Sequence, residues 1–253
     1  MGLRRVDPAI MIAIELEQFS VMGLPVHGSQ DYVGWLITRL RQGAGAHVVT
    51  LNAEMAIQAE QNPALKQVIQ QATLVLPDGA GIVLYFLLKG QRLKRCPGIE
   101  LAAALLLAAG PEESAFFYGG APNVAETAAR NWRENAPELS IVGTQHGFLA
   151  PEEQSDFHQR LKQLQPSIIL VGLGVPRQEL WIEEHRHLCP QAIWIGVGGS
   201  FDIWAGLKSR APAWFRNNHL EWLYRLYQEP WRWRRMIALP MFAWKSITFS
   251  SDQ

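Results

Sequence analysis

From His47 onward the chain alternates short, continuous apolar runs with stretches of helical length, and this pattern leaves few folds open. The segments 47–52, 72–76, 114–118, 140–144, 167–173 and 192–197 are rich in Val, Ile, Leu and Phe, and a periodic segment follows each one. Strands that are apolar at every position are buried on both faces, and a helix between successive strands is the crossover that parallel pairing demands. The spacing predicts an α/β fold: a Rossmann-like, mostly parallel sheet flanked by helices. Helices are expected at 32–42, 53–60 and 79–89, and a further strand at 11–14. Near Gly206–Pro212 the alternation stops, and the tail reads as helical from Ala213 to Pro240. Two units are therefore expected, an α/β domain over 1–205 and a C-terminal helical appendage over 206–253.

Charge narrows the function classes. Lys and Arg number 23 against 23 Asp and Glu, so no global field draws the chain to nucleic acid. Cys96 and Cys189 are the only cysteines, which suits a reducing compartment better than a disulfide framework. No apolar run approaches the roughly 20 residues needed to span a bilayer. His185 and His187 lie two apart and share no helix face, and no other metal-ligand spacing occurs, so no metal is expected.

The strand ends carry the chemistry. Ligands in open parallel sheets bind beyond the carboxyl ends of the strands. There the sequence places Thr50 and Asn52, Pro77-Asp78-Gly79, Gly119–Asn123 with Gly120, Gly172–Glu179 with Gly174 and Gln178, and Gly196–Asp202 with Gly199 and Phe201. Glycines let backbone N–H groups approach a ligand, and helix N-termini favour phosphate. One such turn means little. Four together favour a nucleotide or sugar nucleotide, although G-x-G-x-x-G, G-x-x-x-x-G-K-[ST] and G-x-S-x-G are all missing. Asp78 reads either as a base facing the crevice or as the cap of the helix after it. Asp202 is a second rim carboxylate, placed to bind a base or ribose or to cap locally. Of Gln178 and Glu179, one should face the crevice.

The tail is the other outlier. Residues 203–250 hold six of the ten tryptophans and eight Lys or Arg, against Glu221 and Glu229 alone. Aromatics interleaved with arginines fit a place where apolar surface meets phosphate. A helix with Trp in the core and Arg in solvent fits the composition equally. The run 237–244 reads as a shallow membrane insert or as a packed element.

In series, Thr50-x-Asn52, Pro77-Asp78-Gly79-x-Gly81, Gly98-Ile99-Glu100-Leu101, Gly174-x-Pro176-x-Gln178-Glu179, Gly196-x-Gly198-Gly199-x-Phe201-Asp202, Arg210-Ala211-Pro212 and Glu221-Trp222-Leu223-Tyr224-Arg225 resemble the WecG/TagA/CpsF family of glycosyltransferases. The likeness runs from about Pro25 to Arg235. It implies an inverting, metal-independent enzyme that moves an N-acetylmannosamine-type sugar from a UDP donor to a polyprenyl-diphosphate-linked acceptor, with no cofactor. It further implies a cytoplasmic protein held peripherally on the inner membrane surface, with homo-oligomers possible. By the same resemblance Asp78 is the general base, and Thr50 and Asn52 lie near the sugar or acceptor. Gln178 is a substrate-contacting amide, Asp202 lies near the uridine, and Arg225, Arg232 and Arg235 hold phosphate charge. A nucleotide-dependent oxidoreductase and a non-catalytic sugar-nucleotide-binding protein are the competing readings.

Overall fold

The computed structural model describes residues 15–218 and 220–248, with the side chains at 232, 234, 235 and 247 outside that description. The strand expected at 11–14 therefore lies outside the described residues. The chain opens with strands β1 (Glu17–Val21) and β2 (Leu24–Gly28), then helix α1 (Tyr32–Arg41). There follow β3 (Ala46–Leu51), α2 (Ala53–Gln61), α3 (Pro63–Gln71), β4 (Leu74–Pro77), α4 (Ala80–Leu88) and α5 (Gly98–Ala108). The second half of the sheet comprises β5 (Ser114–Gly119), α6 (Val124–Asn135), β6 (Ser140–Gln145), α7 (Pro151–Leu164), β7 (Ile168–Gly172), α8 (Arg177–His185) and β8 (Ile193–Gly196). The C-terminal segment is helical: α9 (Ser200–Trp204), α10 (Ala213–Asn217), α11 (Glu221–Gln228), α12 (Trp233–Met236) and α13 (Ala238–Thr248).

Strands β3 to β8 form one parallel sheet in the order β4-β3-β8-β7-β5-β6. All six apolar runs found in the sequence become its strands. Their residues are buried on both sides, as in Val48–Val49, Leu74–Val75 and Ile169–Leu170. Helices α1, α5, α6 and α9 pack one face around Phe117 and Ile195. Helices α2, α3, α4 and α13 cover part of the other face, and α7 and α8 cover the rest.

The β1–β2 hairpin has no counterpart in the strand pattern. Its turn is Met22-Gly23, both with positive φ (51° and 72°), the geometry of a tight hairpin turn. Such turns usually carry Asn or Gly first, and a methionine there hides the signal. The hairpin protects the edge of β4, where His27 Nδ1 accepts the Val75 N–H at 2.8 Å.

The tail departs from expectation at one point. Pro230 ends α11, as a proline should, but Pro240 ends nothing. It occupies the third position of α13, where no N–H is needed for the helical ladder. Helix α13 runs on to Thr248 and packs on α2 and α4 through buried Ala238 and Phe242.

Topology fixes where a ligand can sit. After β3 the chain crosses to the α2 face, and after its neighbour β8 it crosses to the α9 face. Adjacent strands whose connections diverge open a crevice at their carboxyl ends. That crevice lies between Thr50-x-Asn52 and Gly196–Ser200.

Candidate active site

Two cavities meet at this crevice. The larger is about 820 Å³ and lies between α4, α13 and the carboxyl ends of β3 and β4. Its far wall is apolar, with Leu84, Leu87, Leu88, Leu239 and Phe242. The smaller, about 200 Å³, is polar and is walled by Gly174, Gln178, Gly198, Gly199, Lys208 and Arg210. Thr50, Asn52, Asp78, Ser200 and Arg225 line both.

Asp78 stands at the end of β4. Its N–H donates to the carbonyls of Leu51 (2.9 Å) and Leu76 (3.0 Å), which fixes the residue beside β3. The helix after it, α4, is capped by Gly79 with no side-chain bond, so the carboxylate is not spent on capping. Burial pushes the Asp78 carboxyl up to about 6, and Glu221 adds to the rise. Arg225, Arg95 and the Gly98 N–H at the start of α5 act in the opposite direction. The result is a carboxylate that is ionised near neutral pH yet basic enough to take a proton. Gly98 is required here, since a Cβ would come within 2.7 Å of Thr50 Cγ2.

Arg225 reaches the site from α11. Its Nη2 donates to Glu221 Oε1 at 2.9 Å, and Arg95 Nη2 reaches Glu221 Oε2 at 3.3 Å. Glu221 is buried, and its one carboxylate holds two cations beside Asp78, which offsets the cost of its desolvation. Lys208 ties the tail to the body, 2.9 Å from Glu229 and 3.2 Å from Asp202. Sequence reading assigned nothing to Arg95, Glu221, Lys208 or Arg210. Arg95 ends a basic run at 89–95, and the other three sit in or beside the quoted motifs.

Of Gln178 and Glu179, Gln178 takes the crevice. Its Oε1 accepts N–H groups from Gly174 and Gly198, both at 3.1 Å, so it pins two loops together. Gly174 and Gly198 have φ of 76° and 51°, backbone that favours glycine. The Gln178 Nε2 donates to Glu179 Oε1 at 2.8 Å, which sets the orientation of the amide. Glu179 turns inward to His47, 3.1 Å away and fully buried. Burial by itself lowers the His47 pKa, but the carboxylates of Glu179 and Glu183 outweigh it and raise the value above normal.

The remaining candidates divide. Asn52 lines both cavities but also caps α2, accepting the Met55 N–H at 3.0 Å. Thr50 is largely buried, with its Oγ1 3.4 Å from the Gly196 carbonyl. Three candidates stay outside both cavities. Phe201 is core, stacked on Phe117 at 5.3 Å. Gly120 closes a turn by donating to the Gly172 carbonyl at 3.0 Å. Asp202 pairs with Lys208, which lines the smaller cavity. The side chains of Arg232 and Arg235 lie outside the described residues. Among the described residues no group of three or more His, Cys, Asp or Glu is placed to hold a metal ion.

The same order of motifs is matched by the model of the glycosyl transferase WecG/TagA/CpsF family, over residues 19–251. This chain belongs to that family. Two N-acetylglucosaminyldiphosphoundecaprenol N-acetyl-beta-D-mannosaminyltransferases are similar to it. The one from Bacillus spizizenii (strain ATCC 23059 / NRRL B-14472 / W23) is 39% identical over 207 residues, 81% of this chain and 80% of the relative. The one from Bacillus subtilis (strain 168) is 34% identical over 204 residues, 80% of this chain and 79% of the relative. As a WecG/TagA/CpsF glycosyltransferase, the chain must bring an activated sugar and an acceptor hydroxyl to one point. Asp78 lies where its two cavities join.

Proposed function

We propose that this protein transfers an N-acetylmannosamine-type sugar from a UDP donor to a sugar carried on a polyprenyl diphosphate, with inversion at the anomeric carbon. The observation that carries the reading is the position of Asp78 between a polar and an apolar cavity, beside Arg225 and Arg95. The relatives' names supply the class of sugar and acceptor.

In this mechanism Asp78 removes the proton of the acceptor hydroxyl as its oxygen attacks the anomeric carbon. The bond from that carbon to the UDP oxygen breaks, and the electron pair leaves on the β-phosphate. A single displacement inverts the configuration. Arg225, with Arg232 and Arg235 from the same segment, neutralises the departing diphosphate, and the backbone N–H group of Gly199 assists. The transfer therefore needs no metal. The donor's sugar and diphosphate approach from the polar side. The acceptor's isoprenoid chain lies along the leucines of α4 and the apolar residues of α13, so that residues from 206 onward complete the acceptor site. The protein works at the inner membrane surface, facing the cytoplasm.

The test is a panel of UDP-sugars incubated with a short polyprenyl-diphosphate-GlcNAc analogue in EDTA, following UDP release and product mass. Transfer that survives EDTA and yields the opposite anomer supports the reading. Transfer abolished by EDTA overturns the metal-free step, and absence of UDP binding by calorimetry overturns the donor.

A further inference from the structure

The described helices include none long and apolar enough to cross a membrane. The C-terminal tail is the surface that its sequence marks for a bilayer. The fold exposes another. Helix α4 is apolar along its whole length, AGIVLYFLL, yet only one side of it is buried. Ile82 and Phe86, four residues apart, point into the core. Leu84, Leu87 and Leu88, at i, i+3 and i+4, share the opposite face and are 55%, 53% and 71% exposed. Single exposed leucines are ordinary, but three on one helical face form a patch that water does not favour.

Cations follow immediately. Gly90, with φ of 76°, ends the helix, and the chain continues as an extended loop. Lys89 lies 5.9 Å from the Tyr85 ring, and Arg92 and Lys94 are exposed with no ion-pair partner among the described residues. No Asp or Glu occurs from Gly79 to Ile99. Arg95 is excluded from this surface because Glu221 already holds it. Exposed leucines beside unpaired basic residues are the combination that binds an anionic lipid surface. A protein partner would need acidic groups beside an apolar seam. A bilayer supplies both everywhere.

We propose that the outer face of α4 and the basic loop 89–94 form a docking surface for an anionic phospholipid bilayer, separate from the arginines of the tail. Leu84, Leu87 and Leu88 also line the larger cavity, so its apolar wall continues outward onto this face. Docking there would let an isoprenoid chain pass from lipid to cavity without crossing water. That last consequence rests on the proposed acceptor, whereas the docking itself does not.

The experiment is sedimentation of the full chain with vesicles of phosphatidylglycerol and phosphatidylethanolamine, compared with phosphatidylcholine alone and repeated in high salt. No donor or acceptor is present, so failure of the transfer reaction leaves the result interpretable. The wild-type chain should pellet with the anionic vesicles and be largely released by salt. Arg92→Glu with Lys94→Glu should lower partitioning roughly tenfold or more. Leu84→Gln with Leu87→Gln and Leu88→Gln should lower it similarly on the same vesicles, with an unchanged circular dichroism spectrum and thermal midpoint. Wild-type binding in both variants overturns the proposal, as does failure of the wild-type chain to bind. So does a leucine variant that converts a dimer to a monomer by light scattering yet still binds vesicles, which would make this face an interface between copies.

Discussion

The two cavities that meet at Asp78 are built from opposite materials. The small one is made of backbone: glycine loops after β7 and β8, pinned by Gln178, with Lys208 and Arg210 closing it. The large one is made of side chains, from the leucines of α4 to Leu239 and Phe242 of α13. A sheet rim provides fixed N–H groups because strand ends and glycines determine its geometry. An apolar groove requires two helices to stand apart, and here the C-terminal segment supplies the second. The difference suggests a division of labour. In the proposed transfer the polar side would hold the diphosphate charge, the apolar side would accept the long hydrocarbon, and the junction residues would serve both.

The sharpest way to break that division is at the junction itself. Asp78→Asn should lower turnover by about 10²- to 10⁴-fold while UDP binding by calorimetry stays near wild type. Equal activity would remove the base from the scheme. In the wild-type enzyme, activity should rise with pH through about 6, where the buried carboxyl loses its proton. A profile flat across that range counts against Asp78 as the base.

Arg225→Ala tests the charge at the same point, with an expected loss on the order of a hundredfold in kcat. Arg232→Ala with Arg235→Ala should weaken use of the lipid-linked acceptor far more than binding of free UDP. If both fall together, the tail is scaffold.

Gln178→Leu probes the polar side alone. It leaves the Gly174 and Gly198 N–H groups without their acceptor, at about 1–3 kcal/mol each. The donor KM should rise about tenfold or more with a smaller change for the acceptor, measured by varying each substrate in turn. A larger acceptor effect would reverse the assignment of the two cavities.

The smallest effect belongs beneath the polar side. Because Glu179 and Glu183 raise the His47 pKa in the folded state, their pairing stabilises the fold in full below the ordinary histidine value of about 6.5. That contribution is lost as pH rises through the folded value. The thermal midpoint of wild type, compared with His47→Gln, should show an advantage at pH 6 that shrinks at higher pH.

Much of this arrangement was legible beforehand, but unevenly. The six strands were, because a strand buried on both faces must be apolar at every position. The rim was, because glycines and short polar residues recur after those strands. Asp78 was legible as one of two roles, and the cap position of α4 falls to Gly79 instead. Phe201 sits in the same motif as Gly199 and shared its assignment, but its ring turns to Phe117 in the core. Motif membership does not say which way a side chain points. The Met22-Gly23 hairpin escaped because its turn uses a methionine in left-handed backbone.

Sequence alone determined the α/β class, the rim of glycines and short polar groups at the strand ends, and the excess of Arg and Trp in the tail. These follow from local rules, in which neighbours along the chain decide between helix, strand and turn. Tertiary structure alone decided that Arg95 joins Glu221, that Gln178 rather than Glu179 faces the crevice, and that the leucines of α4 face outward. Each of these depends on contacts or burial set by residues distant in the chain, such as Arg95 with Glu221 and His47 with Glu179. An apolar helix reads the same whether its second face meets protein or membrane, and only the positions of its neighbours distinguish the two.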